Sequence, residues 1–145
     1  MKRAAIALAA LLAAGCSSLP PTPIYANDVC FRCSRAIGDT KLAGEIIDTG
    51  GRAFKFKTAA CMAKFIVKQN PDAGAIYVTD FQTGRLVKAT AVTFVPMMVG
   101  EQYRNKELAY MAFSSSRTAR EVAAREKTTA VEWEQVLETA RTAAD

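Results

Sequence analysis

The period of apolar and polar positions changes several times along the 145 residues, and each change marks an element. Leu42 to Asp48 is a mostly apolar run with strand character, closed by the turn signal Asp48-Thr49-Gly50-Gly51. Arg52 to Lys57 alternates strictly and reads as a half-buried strand, paired in a hairpin with the run before it. Thr58 stands where a helix N-cap belongs. Ala59 to Gln69 then spaces Cys61 and Met62 four residues ahead of Phe65 and Ile66, a core stripe on a helix that stops before Asn70-Pro71. Ala75 to Phe81 is the next strand, Gln82-Thr83-Gly84 turns it, and Arg85 to Thr93 is another strand.

The order then recurs. Ala109 to Phe113 is strand-like, Ser114-Ser115-Ser116 is a cap cluster, Arg117 to Lys127 is helical, and Thr129 to Trp133 reads as a short strand. Phe56-Lys57-Thr58 overlays Phe113-Ser114-Ser115 at an offset of 57. The pattern predicts an α+β fold: two related β-β-α-β halves, about 28–93 and 94–133, forming one compact unit over 28–133. Pro96-Met97-Met98 is expected in the loop between the halves. Residues 134–145 form a terminal helix or tail, whose face of Trp133, Val136, Leu137 and Ala140 is suited to docking on the domain.

The N-terminus follows another logic. Lys2 and Arg3 precede the apolar run Ala4 to Ala14, too short to span a bilayer and suited to a signal peptide over 1–15. Small residues directly before Cys16 look like a bacterial lipobox, which makes Cys16 a lipidation site. Several acyl chains anchor stably where one does not. The expectation is a protein held by Cys16 on the periplasmic face of a bacterial membrane, with Ser17 favouring the outer one. Residues 16–27, rich in proline, are expected as a flexible extended tether.

The net charge of +5 falls to about +3 once Lys2 and Arg3 leave with the leader. That balance, without a basic stripe interleaved with aromatics, gives no case for a nucleic-acid partner. The chain has no histidine, which removes the commonest general base and metal ligand. With no phosphate-cradling glycine loop and no telling carboxylate pair, the chain does not read as an enzyme. What remains is sulfur. Cys30 and Cys33 stand three residues apart, so one tight turn brings both thiols to one centre. Such a pair serves as a structural disulfide, a redox dithiol, or two thiolates for a soft metal. Sulfur without imidazole favours Cu(I). Met97 and Met98 are candidate thioether ligands. Cys61 and Met62 rank behind them, since helical spacing makes packing their simpler role, although Cys61 is also an odd thiol available as a third ligand.

A family resemblance rests on the same residues. A lipobox and tether are followed by Cys30-Phe31-Arg32-Cys33, Asp39, a hairpin ending in Phe56, Cys61-Met62 on a helix, Tyr77 to Gly84, and Ala112-Phe113 before a helix carrying Ala119. This order resembles the NosL family of lipoprotein copper chaperones, which serve maturation of nitrous oxide reductase. The resemblance implies two β-β-α-β halves, a Cu(I) site using the N-terminal cysteines and a methionine, and a client cuproenzyme or assembly proteins as partners. Ser34-Arg35 stand where that family has Gly-Met, and Lys106 stands at the ungapped position of its later methionine. A lipid-anchored metallochaperone binding Cu(I) through Cys30, Cys33 and Met97 or Met98 is therefore the leading expectation. The alternatives are a structural lipoprotein with a Cys30–Cys33 disulfide and a thiol–disulfide oxidoreductase.

Overall fold

The computed structural model describes residues 19–100 and 106–143. The expected signal peptide, Cys16 and Ser17-Ser18 lie outside these residues. The described chain is α+β, with two antiparallel sheets and three helices. Strands β1 (Gly44–Asp48) and β2 (Ala53–Phe56) form the expected hairpin, in register from Gly44↔Phe56 to Ile47↔Ala53. Helix α1 (Ala59–Gln69) follows, capped by Thr58 and ended by Asn70 in the left-handed conformation at φ 44°. β3 (Ala73–Thr79) returns beside β1, and β4 (Leu86–Lys88) pairs with β3, giving the sheet order β2-β1-β3-β4.

The second half repeats this plan with shorter pieces. β5 (Thr93–Val99) and β6 (Glu107–Phe113) form a hairpin, and α2 (Ser116–Arg125) follows under a Ser115 cap. Val131 then bridges Phe94 on the free side of β5. The order β6-β5-Val131 thus reproduces β2-β1-β3. α3 (Trp133–Thr142), opened by a Glu132–Gln135 capping box, closes the chain.

The structure corrects three boundaries. The strand expected over Arg85 to Thr93 breaks after Lys88 into a 3-10 turn, Ala89–Ala91. Ala89 and Val92 are both buried, so the chain turns inward there and crosses to the second sheet. The strand expected over Thr129 to Trp133 shrinks to the Val131 bridge, because Glu132 is drawn off to cap α3. Met97 and Met98 lie within β5, not in a loop. Pro96 does not prevent this: Phe94 directs both its N–H and its C=O to Val131, so two residues on, the donor that proline lacks falls on the open edge of β5.

Alternation along the second sheet separates two cores. Phe94, Tyr110 and Ala112 face a cluster shared with Ile46, Phe56, Met62, Trp133 and Val136. Val95, Ala109, Met111 and Phe113 face a smaller one under α2, where Met97 also packs. Trp133 and Val136 of α3 are buried against the first, as expected of that face, at about 1.5–3 kcal/mol for each large apolar side chain. Asp80 joins the halves. It is 2 % exposed, forms a parallel bridge with Ala112, and accepts from the amides of Gln82, Thr83 and Ser114 as well as from the Ser114 hydroxyl.

The segment expected as a free tether is in part fastened down. Thr22 donates from its amide (2.6 Å) and hydroxyl (2.7 Å) to the carboxylate of Glu45, which is fully buried. The Tyr77 hydroxyl donates to the Leu19 carbonyl at 2.5 Å. Glu45 and Tyr77 are cross-strand neighbours, so residues 19–22 lie across the outer face of the first sheet and satisfy its buried polar groups.

Candidate metal centre

Two elements distant in sequence meet at the site. The first is the loop between Val29 and Ala36, which form an isolated antiparallel bridge. Inside it the Cys30 amide donates to the Arg35 carbonyl, the Ser34 amide donates to the Cys30 carbonyl, and Ser34 takes the left-handed conformation at φ 58°. This tight turn aims both thiols the same way. The loop is held to β2 by the Phe31 amide donating to the Lys55 carbonyl and by a 2.7 Å Asp28–Lys55 ion pair. Phe31, between the cysteines, makes edge contacts with Phe54 and Phe65 at centroid distances of 4.8 and 5.4 Å. Such pairs contribute about 0.5–1.5 kcal/mol each beyond burial.

The second element is the first turn of α1. The Thr58 hydroxyl accepts from the Cys61 amide at 3.0 Å, which fixes Cys61 at the positive end of the helix. Its Sγ lies 3.5 Å from that of Cys30. The sulfurs of Cys30, Cys33 and Cys61 all lie within 4.8 Å of one another. Three sulfurs around one ion at a metal–sulfur distance of about 2.3 Å stand roughly 4 Å apart, so this spacing fits a single soft ion.

The electrostatics point the same way. The Cys61 thiol donates to Cys30, and contacts with Lys57 and Cys33 add to that bond; burial opposes them, but the Cys30 pKa still falls to about 4. Donation to Cys30, burial and the nearby negative charge push the Cys61 thiol up. Arg35 faces the Cys33 sulfur and pairs with Glu107 at 2.6 Å, both of which raise its pKa. Arg32 reaches Cys61. The two arginines thus offset thiolate charge.

Burial and strand register place the other expected ligands. Met62 is fully buried, with its thioether end against Gly44, a packing residue. Met97 packs in the α2 core, on the sheet face opposite Tyr110. Met98 is 56 % exposed and pairs with Leu108; alternation puts it on the Tyr110 face. Leu108 and Tyr110 line a cleft of about 300 Å³ that opens beside Cys61. Strand parity therefore separates two methionines that adjacency in sequence left equivalent. Cys61, ranked low from its spacing, is the residue the fold brings in. The available signal was the cap: a Thr58 three residues ahead puts Cys61 on the first turn, where a side chain can face a neighbouring loop.

This fold has a solved counterpart. The chain superposes on the crystal structure of the copper chaperone NosL from Shewanella denitrificans with a TM-score of 0.64, covering 81% of this chain and 95% of that one. The fold is NosL-like. Sequence identity is only 12%, so what the two chains share is an architecture. No protein-family model and no curated protein matches the chain. In this chain the cysteine loop packs on the hairpin and on α1, which is the arrangement that assembles the three sulfurs.

Proposed function

We propose that the protein binds Cu(I) as cargo at Cys30, Cys33 and Cys61 and delivers it to a cuproenzyme. One observation carries this reading: three sulfurs, contributed by a loop and a helix and with no imidazole in the chain, converge within 4.8 Å. Thiolates select soft ions. The likeness to a copper chaperone supports the same assignment. Met98, exposed on the same sheet face as Tyr110, is the methionine this proposal assigns as an added thioether from outside the three-sulfur cluster. The low pKa of Cys30 means that its thiolate is already formed at neutral pH, so an arriving ion displaces fewer protons there.

Delivery to a client such as nitrous oxide reductase, and lipid anchoring at Cys16, belong to the same proposal. Leu19 is fastened to the first sheet and stands three residues after Cys16. An anchor at Cys16 would then hold the sheet within about 10 Å of the lipidated residue, at the usual reach of an extended chain.

The test is competition for Cu(I) between the reduced full chain and a chromogenic chelator. One equivalent held by the wild type and lost in Cys30→Ser/Cys33→Ser supports the proposal. Equal copper stoichiometry in the two proteins refutes it.

A further inference from the structure

The cleft beside the sulfurs carries more positive charge than the cluster engages. Arg32 and Arg35 stand against Cys61 and Cys33. Lys64 and Lys106 line the same cleft, and among the described residues neither takes part in an ion pair. Lys64 lies three residues after Cys61 on α1, and Lys106 directly precedes β6, so two separate elements each bring a lysine to the lining of one space. Glu107, already paired with Arg35, is the one carboxylate among the described lining residues. The first turn of α1 adds the positive end of its dipole. Leu108, Tyr110, Val136 and Ala140 supply an apolar wall.

A volume of about 300 Å³ is that of a small-molecule site; a stable protein interface takes about 800 Å² from each partner. We propose that the cleft binds a small carboxylate-bearing thiol, with its carboxylates on Lys64 and Lys106 and its sulfur against Cys61. This deepens the copper reading and rests on it: the ligand is the form in which a soft ion arrives. In the exchange a metal–sulfur bond to the small thiol breaks as one to Cys61 forms. The Cys61 proton passes to the departing thiolate, and no oxidation state changes.

The test separates anion binding from metal binding. The reduced, metal-free full chain is titrated calorimetrically with S-methylglutathione, which keeps the carboxylates and blocks the thiol. Saturable binding that weakens about tenfold in Lys64→Ala/Lys106→Ala supports the proposal, as expected for two charge-assisted contacts. Absence of binding to the wild type, or equal binding to the double variant, overturns it. Binding of an acidic peptide with none of the small molecule also overturns it, and makes the cleft part of a macromolecular contact. Lys106 is exposed and Lys64 half-buried, and circular dichroism verifies that the variant folds. Chelator competition reads the sulfurs alone, so failure of copper binding leaves the calorimetric result standing as a separate outcome.

Discussion

The Sγ atoms of Cys30 and Cys61 lie 3.5 Å apart although 31 positions separate the residues. Both are free thiols, and closing a disulfide to its bond length of about 2.05 Å needs only a small approach. Mild oxidation of the metal-free protein by a small disulfide, which takes up the two electrons as two thiols, should therefore link Cys30 to Cys61. Peptide mapping without reductant is the check. A dominant Cys30–Cys33 link would show that the two loop thiols react with each other first, and would return the structural-disulfide alternative to consideration.

Neighbouring residues Cys61 and Met62 should behave oppositely. Cys61→Ser removes one of three sulfur ligands and is expected to weaken Cu(I) binding by more than the about 10- to 100-fold that loss of an outer-shell partner costs, with little change in melting temperature. Met62→Ala empties a fully buried site and should cost about 2–5 kcal/mol of stability with copper stoichiometry retained. Chelator competition and chemical denaturation on both variants decide this. Reversed effects would remove Cys61 from the site.

Cys30 has a pKa of about 4 in the fold against 9.0 for a free thiol. Between those values folding releases its proton, so stability rises with pH across the window. The contribution is complete above the unfolded value and is lost as pH falls through about 4. The gap in urea midpoint between wild type and Cys30→Ser should accordingly widen from about pH 5 to about pH 8. Thiolate ultraviolet absorbance at about pH 6 should be lower in the variant than in the wild type by the equivalent of one ionised sulfur. A gap independent of pH would show that Cys30 is protonated in the fold.

Asp80 is buried, which by itself would raise its pKa, but the donors from Ser114, Thr83 and Gln82 outweigh burial and hold it below the usual carboxylate value. It therefore adds stability at neutral pH that is lost on acidification through its folded pKa. Asp80→Ala should cost about 3 kcal/mol, since it strands several buried donors at the joint between the halves. Copper stoichiometry at neutral pH should persist, because Asp80 is no part of the sulfur cluster. Denaturation beside copper titration tests both statements.

Much of this architecture is written locally. The Asp48 to Gly51 turn, the alternation of Arg52 to Lys57, the Thr58 cap and the Trp133-Val136-Leu137 stripe each act within a few residues, so the chain alone determines the first hairpin, α1 and the docking face of α3. The repeat at an offset of 57 is likewise visible, because each half needs its own cap to start its helix. The absence of histidine and the spacing of Cys30 and Cys33 are enough to favour sulfur as the metal ligand.

What the chain alone left open concerns partners far apart in sequence. Cys61 looks like a packing residue until Phe31, seated among Phe54 and Phe65, brings the loop sulfurs to the first turn of α1. Met97 and Met98 are interchangeable until the β5–β6 register sends their side chains to opposite faces. Leu19 to Thr22 reads as tether until the buried Glu45 carboxylate and the Tyr77 hydroxyl require partners. Local propensity sets elements, but a site made by two elements exists only once burial has chosen which faces meet.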